Sequence, residues 1–170
     1  MILAYTSICC YIYPIESSNI IATPEFDQIN PLNCVNAKLR KLHRLINSAY
    51  MQKFKPYGLG GSMVSILFMI GKKKGINQKT IADALVLDQS TMSRDLKKLV
   101  DKGWVSVQKG SDPRQSELVL TKDGCLLLEE VSPLWHELHT KVESLLGTFN
   151  IQQIDNITEA IRSNIDELKI

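Results

Sequence analysis

The sequence predicts a mainly α-helical fold with a small β wing. Three observations predict it. Apolar residues recur at helical spacing over most of the chain. Two short stretches, WVSVQ and SELVL, instead alternate apolar and polar residues as strands do. The run KGSDPRQ, which is rich in turn formers, separates these two stretches.

Residues 1–33 are expected to form an irregular N-terminal extension. Three prolines lie within residues 14–33 among Ser, Asn and Asp, which disfavours regular structure. The opening MILAYTSICCYIYPI is apolar, but it lacks the basic start of a signal peptide and is shorter than the roughly 20 residues that cross a bilayer. We therefore favour an extension, loosely ordered or packed on the rest of the protein, over a signal or membrane segment.

Charge is segregated along the chain. Residues 71–122 contain eleven Lys and Arg against six Asp and Glu, a local charge of +5, and residues 123–170 contain three against nine, a local charge of −6. A basic segment beside an acidic one suggests that the basic part binds a polyanion. The four cysteines have no spacing typical of a zinc ribbon or disulfide framework, so a reducing cytoplasm is the expected location.

Residues 34–56 and 122–170 are predicted to form amphipathic helices that make a dimer. Pro133 is expected to bend or split the long helix of the second segment, and Asn150 with Gln153 resembles a capping box for the last helix. That helix carries an apolar stripe too regular to remain in water: Ile151, Ile154, Ile157, Ile161, Ile165 and Leu168. Two copies of the chain are therefore expected to bury their first and last helices across a two-fold axis.

Residues 60–121 are predicted to form a winged helix-turn-helix domain. SMVSILFMIG favours a buried helix, although its length leaves a strand open. Asn77 and Asp88 can each cap a short helix, and Gly103 can end the second one. The second helix has a packing stripe of Met92, Leu96, Leu99 and Val100. Its opposite side carries Ser90, Arg94, Lys97, Lys98 and Asp101. A helix with small residues at its start and cations opposite its core suits a DNA major groove.

The polar tip between the two strands predicts a wing that reaches outside the fold. Arg114 at this tip can enter a narrow, electronegative minor groove. Asp112 can orient the guanidinium group through a charge-assisted hydrogen bond. The alternative is a surface ion pair with no function.

Together these elements resemble the winged helix-turn-helix of the MarR family of bacterial transcriptional regulators. The matching pieces are LDQSTMSRDLKKL before a glycine, the DxR of Asp112 and Arg114, and the LTxxG of Leu120, Thr121 and Gly124. The resemblance implies a homodimer that binds a pseudo-palindromic operator in double-stranded DNA. It also implies a repressor that a small-molecule effector releases.

The resemblance assigns DNA contacts to particular side chains. It implies base or phosphate contacts from Ser90, Thr91, Ser93 and Arg94, a minor-groove contact from Arg114 and support from Asp112. The basic face of the same helix adds Lys97 and Lys98 as candidates. Many family members have an arginine near the end of the first wing strand. This chain has Val107 there, so Lys109 is the candidate phosphate contact of that strand.

Three further sites are candidates. His43, Tyr50 and Trp135 can line an effector cleft, although aromatic residues at helical spacing more often belong to the core. Cys34 near the start of the first helix suggests redox sensing, with an inert thiol as the alternative. Three side chains on one side of the long helix have spacings that suit a metal, but nothing else completes a ligand set. These are His136, His139 and Glu143.

An enzyme is the main rival class. The sequence contains no Walker loop, no GxGxxG after a strand, no HExxH and no GxSxG, so neither a catalytic activity nor a cofactor is expected. Two further alternatives keep the same fold: a redox- or metal-responsive regulator, and a protein-interaction module without DNA binding. Arg94, Arg114 and the local positive charge argue against the interaction module.

Overall fold

The structure is a computed structural model that describes residues 23–110 and 116–168. The chain divides into two compact units between Lys41 and Leu42. Within the described ranges, no helix has both the length and the apolar character needed to cross a membrane.

Within the first unit, residues 23–33 of the segment expected to be irregular form short helical turns, and residues 1–22 of that segment lie outside the residues that the structure describes. Helix α1 (Pro24–Asp27) is a single turn, a 3-10 turn covers Pro31–Asn33, and helix α2 (Val35–Phe54) begins in this unit. A proline opens each of the two short turns, where the missing N–H removes no hydrogen bond. Local proline geometry therefore gives order to a stretch that its composition does not predict.

The second unit contains the end of α2 and the remaining elements. In chain order these are α3 (Met63–Lys72), α4 (Gln78–Leu85), α5 (Gln89–Asp101), β1 (Val105–Lys109), β2 (Ser116–Leu120), α6 (Lys122–Leu146) and α7 (Thr148–Ser163). Short 3-10 turns cover Lys55–Tyr57 and Ile165–Leu168. The predicted mainly helical fold with one small antiparallel sheet is confirmed.

Helix α3 forms the centre of the core. Its sequence is apolar on nearly every side, and it packs against α4, α5, α6 and β2. SMVSILFMIG is therefore a buried helix and not a strand. Five of its side chains are buried: Met63, Val64, Ile66, Leu67 and Ile70.

Helices α4 and α5 begin at the predicted caps. The side chain of Asn77 accepts a hydrogen bond from the Thr80 N–H at 2.8 Å, and that of Asp88 accepts one from the Thr91 N–H at 2.8 Å. Val86 joins the two helices in the left-handed region, at φ 51° and ψ 46°. This conformation is strained for a β-branched residue, but it turns the chain within two residues.

The end of α5 leads directly into the wing. Gly103 adopts φ +73°, its N–H donates to the Val100 carbonyl at 2.8 Å, and the Trp104 N–H donates to the Leu99 carbonyl at 3.0 Å. Strand β1 then pairs antiparallel with β2. The Leu118 N–H also donates to the Ile76 carbonyl at 2.8 Å, which ties the sheet to the residue before the cap of α4.

The LTxxG sequence joins the wing to α6. The Thr121 hydroxyl donates to the Gly103 carbonyl at 2.6 Å and accepts from the Gly124 N–H at 3.0 Å, while the Thr121 N–H donates to the Trp104 carbonyl at 3.0 Å. A Cβ atom at Gly124 would overlap the Trp104 carbonyl oxygen. Glycine at this position is therefore a steric requirement.

Two local predictions for the C-terminal helices need correction. Helix α6 is continuous through Pro133, so the expected split of the helix is wrong, whereas a bend at the proline stays a prediction. Helix α7 begins at Thr148, so Asn150 is not its cap, and Asn150 instead donates its side-chain amide to the Leu146 carbonyl at 2.7 Å. The reason is Gly147, whose φ of +75° lets one residue separate the two helices.

Gly124→Ala should lower the free energy of unfolding by about 3 kcal/mol or more, because the new methyl group meets backbone atoms that cannot move aside. Urea unfolding measures the loss. Gly60→Ala is the matched control, since a Cβ there meets nothing within 4 Å, and it should change stability by no more than about 1 kcal/mol. Equal effects of the two substitutions would contradict the steric argument.

Candidate nucleic-acid interface

Helix α5 separates an apolar side from a polar side. Met92, Leu96 and Leu99 are buried, as the periodicity predicts, whereas Val100 is exposed because it lies at the edge of the packing stripe. The opposite surface carries small hydroxyl residues and cations. Its exposed members are Ser90, Ser93, Arg94, Lys97 and Lys98, and Thr91 is half-buried beside them.

The start of α5 is an ordered polar cluster. The Asp88 carboxylate accepts the Ser90 hydroxyl at 2.5 Å as well as the Thr91 N–H. These donors, with Ser90 the largest contributor, hold the pKa of Asp88 well below its usual range. Because the Ser90 proton is used in this cap, the lone pairs of its oxygen remain available to accept a hydrogen bond from a base or a water.

Gln78 is a member of this surface that the sequence did not identify. Its side-chain amide donates to the Ser93 hydroxyl oxygen at 2.9 Å, which links the first residue of α4 to the outer face of α5. Ser93 keeps its own proton for donation. One feature of the sequence could have identified it. Gln78 directly follows Asn77, the cap of α4, and a tight turn between two helices brings a side chain at this position beside the second helix.

Arg94 lies along the first half of α5. Its Nη2 atom is 3.4 Å from the Thr91 hydroxyl oxygen, and its Nε atom is 3.9 Å from the nearer Asp95 carboxylate oxygen. The side chain is largely exposed. The guanidinium group is thus placed over the N-terminal half of the helix with most of its donors available for a ligand.

The two lysines of α5 have different partners. Lys97 pairs with Asp101 at 2.9 Å, and Lys98 pairs with Asp95 at 3.0 Å. Asp95 is buried and also accepts the Ser62 N–H at 3.2 Å, at the start of α3. The sequence did not predict this role of Asp95, because the partner N–H lies 33 residues earlier in the chain.

The wing presents one predicted cation within the described residues. Lys109 is exposed at the end of β1, opposite Ser116 of β2, and Val107 is exposed on the same strand. Asp112 and Arg114 lie outside the residues that the structure describes, so their predicted roles at the tip stay predictions.

The effector candidates have different surroundings. Trp135 packs against the rings of Phe68 and His139, with centroid distances of 5.8 and 4.3 Å. Tyr50 stacks on Phe54. Burial, and secondarily the negative charge of Glu143, raise the pKa of Tyr50. His43 is exposed. Trp135 and Tyr50 therefore contribute to packing around α6, and an effector role for these residues stays a prediction.

The redox and metal candidates do not form a cluster of ligands among the residues that the structure describes. Cys34 is exposed immediately before α2. His139 lies 3.1 Å from Glu143, which forms a pair and not a ligand set. No group of three His, Cys, Asp or Glu side chains suited to a metal occurs among residues 23–110 and 116–168, so His136 does not join the pair in such a group.

Comparisons with known proteins agree with this geometry. A sequence model of the MarR family matches residues 62–115. The HTH-type transcriptional regulator BilQ of Clostridium symbiosum is 31% identical over 105 residues, which are 61% of this chain and 73% of BilQ. The uncharacterized HTH-type transcriptional regulator YwoH of Bacillus subtilis is 33% identical over 89 residues, or 52% of this chain. That match spans 65% of YwoH, just under two thirds of its length.

A solved structure has the same arrangement of elements. The M. tuberculosis transcriptional regulator MosR, in a crystal structure of its complex with DNA, superposes with a TM-score of 0.67 and 25% sequence identity. The match covers 77% of this chain and 98% of MosR. Residues 62–115, which the family model matches, contain the capped helix pair and the first strand of the wing. The chain belongs to the MarR family, whose members are transcriptional regulators and not enzymes.

Proposed function

We propose that this protein is a homodimeric, sequence-specific DNA-binding regulator that represses transcription from a pseudo-palindromic operator. Helix α5 enters the major groove, and the wing tip lies in the adjacent minor groove. The observation that carries the proposal is the composition of the outer face of α5. Small hydroxyl groups, an oriented arginine and exposed lysines cover this face, and the opposite side of the helix is buried in the core.

The dimensions of α5 fit this role. Its 13 residues make a cylinder about 20 Å long, and a major groove about 12 Å wide admits one such helix. Ser90 and Ser93 at its start are slim enough to approach base edges, and Arg94 has the fork geometry that pairs with guanine. Lys97 and Lys109 supply charge for phosphates on either side of the groove. The MosR complex with DNA supports the assignment.

Exposed apolar side chains support the dimer. Helix α2 carries Val35, Leu39 and Leu42 at heptad spacing, and all three are exposed. Helix α7 exposes Ile154, Ile157 and Ile161 along one stripe, and the 3-10 turn after it exposes Ile165 and Leu168. Apolar stripes of this length rarely face water in a monomer. A second copy of the chain is the partner that buries the same stripes on both subunits.

A contact between α7 and the helix-turn-helix supports regulation by an effector. The Arg162 guanidinium donates to the Asp83 carbonyl at 3.3 Å, so α7 touches α4 directly. An effector that shifts the dimer helices would move the two α5 helices relative to each other. A changed spacing lowers affinity for an operator whose half-sites are fixed by the DNA helix. His43, Tyr50 and Trp135 remain the proposed effector-binding residues.

Arg94→Ala should weaken binding to the DNA upstream of the protein's own gene by about 1 to 3 kcal/mol and should also relax base preference. Mobility-shift titrations on that DNA and on a shuffled sequence give both quantities. Lys141→Ala, which removes a cation from α6, is the control for net charge. Wild-type protein that shows no specific, salt-sensitive shift would refute the proposed function. A uniform loss on both DNAs would make Arg94 a phosphate contact.

Arg114→Ala should cost about 1 to 3 kcal/mol of operator affinity if its side chain reads the minor groove. The loss should be larger on operators whose flanks are A-tracts, because narrow grooves attract arginine most strongly. Anisotropy titrations with A-tract and G·C-rich flanks measure the difference. Equal small losses on both would mean that the wing tip only adds positive charge.

Ile157→Glu should weaken self-association by at least about tenfold, or 1.4 kcal/mol, because it places a charge in the apolar stripe of α7. Sedimentation across a concentration series measures the change. Asn156→Glu adds the same charge at the neighbouring exposed position and should leave the association constant close to that of the wild type. A dimer that tolerates Ile157→Glu would show that α7 lies outside the interface.

A further inference from the structure

Helix α5 carries two neighbouring lysines whose ion pairs differ most in the exposure of the carboxylate. Lys97 and Lys98 have nearly equal N–O distances to their carboxylates, 2.9 and 3.0 Å. The side chain of Asp101, the partner of Lys97, is 58% exposed, whereas that of Asp95, the partner of Lys98, is 5% exposed. Both lysine side chains are exposed, at 74% for Lys97 and 51% for Lys98, but their carboxylate partners lie in very different environments.

Asp95 also connects α5 to α3. One carboxylate oxygen accepts the Ser62 N–H at 3.2 Å, at the positive end of the α3 dipole, and the other accepts the Lys98 ammonium group. Among residues 23–110 and 116–168, Asp95 is the charged residue that is buried. Arg94 stands 3.9 Å from the same oxygen as Lys98, which is beyond hydrogen-bond distance. Lys98 is thus the direct cationic partner of this carboxylate.

A DNA phosphate can bind either lysine only by replacing its carboxylate partner, and the free-energy cost of that replacement differs between the two pairs. If Lys97 moves to a phosphate, Asp101 is left in water, where an exposed pair is worth little. If Lys98 moves, the buried Asp95 carboxylate loses its hydrogen-bonded cation and keeps only Arg94 at 3.9 Å, which is unfavourable. A phosphate contact made by Lys97 therefore keeps most of its favourable free energy. For Lys98 the cost of leaving Asp95 cancels that free energy.

We propose that Asp95 withholds Lys98 from DNA, so that Lys97, and not Lys98, is the lysine of α5 that binds phosphate. The inference rests on the proposed DNA binding and revises the expectation that both lysines contact the duplex. Asp95 is a positioning residue in this account. The Asp95 carboxylate anchors α5 to the start of α3. By holding Lys98, it also leaves one lysine fewer on the helix to bind DNA phosphates.

The matched variants Lys97→Gln and Lys98→Gln test the inference, because they remove the same charge from adjacent positions. The probe is a mixed-sequence duplex, titrated by fluorescence anisotropy over a range of salt concentrations. Each phosphate contact contributes about 0.9 to the slope of log Kobs against log salt. Lys97→Gln should lower the magnitude of the slope by about 0.9, and Lys98→Gln should leave it at the wild-type value.

Removal of each carboxylate provides the reciprocal test. Asp95→Asn keeps the size of the side chain and an oxygen for the Ser62 N–H, but it releases Lys98, so the slope should increase by about 0.9. Lys98→Gln in the same background should cancel that increase. Asp101→Asn should leave the slope unchanged, because Lys97 is already available. Thermal melts establish that each variant is folded at the temperature of the titration.

The outcomes separate the inference from the proposed function. Equal losses of slope for Lys97→Gln and Lys98→Gln would overturn the inference while leaving DNA binding intact. Wild-type protein without salt-sensitive binding would overturn both. Should Asp95→Asn fail to fold, the two lysine variants still decide, since both lysine side chains are exposed and the amide introduced by Lys98→Gln can still donate a hydrogen bond to Asp95.

Discussion

The close approach of Gly124 to the Trp104 carbonyl is the constraint on which the arrangement of the second unit depends. It brings the first turn of α6 against the start of β1, and Thr121 closes the junction by bonding to Gly103 at the end of α5. Three elements thus meet at one backbone contact. The angle between the proposed recognition helix and the β1–β2 sheet follows from this junction, because only residues 102–104 separate α5 from β1 and only Thr121 separates β2 from α6.

Two carboxylates on α5 position its side chains and the helix itself. Asp88 at the N-terminus orders the hydroxyl groups, and Asp95 on the flank anchors the helix to α3. Both carboxylates lie within a segment of net positive charge. They therefore determine where donors and cations lie on the basic surface, and they also stabilise it. The outer face therefore combines Lys97, whose carboxylate partner is exposed, with Lys98, whose carboxylate partner is buried. This difference bears on specificity, because a lysine that binds phosphate strengthens binding to every DNA sequence by a similar amount.

The sequence predicted the features whose causes are local. Asn77 and Asp88 cap helices within three residues of their partners, and Gly103 ends α5 through bonds to its own last turn. Asp95 and Gln78 were missed because their partners lie 33 and 15 residues away, and only the packed fold brings them together. The cap assigned to Asn150 failed for a local reason, since a residue in the left-handed region at Gly147 overrode a plausible capping pattern.

Dimethyl sulfate protection on the operator tests the central claim most directly, because the reagent methylates guanine N7 in the major groove and adenine N3 in the minor groove. The account predicts two patches of protected guanine N7 about 10 base pairs apart, one for each α5 helix of the dimer. It also predicts protected adenine N3 on the outer flank of each patch, where the wing tips lie. Protection of adenine N3 alone, or a single guanine patch, would contradict the assignment of α5 to the major groove of two half-sites.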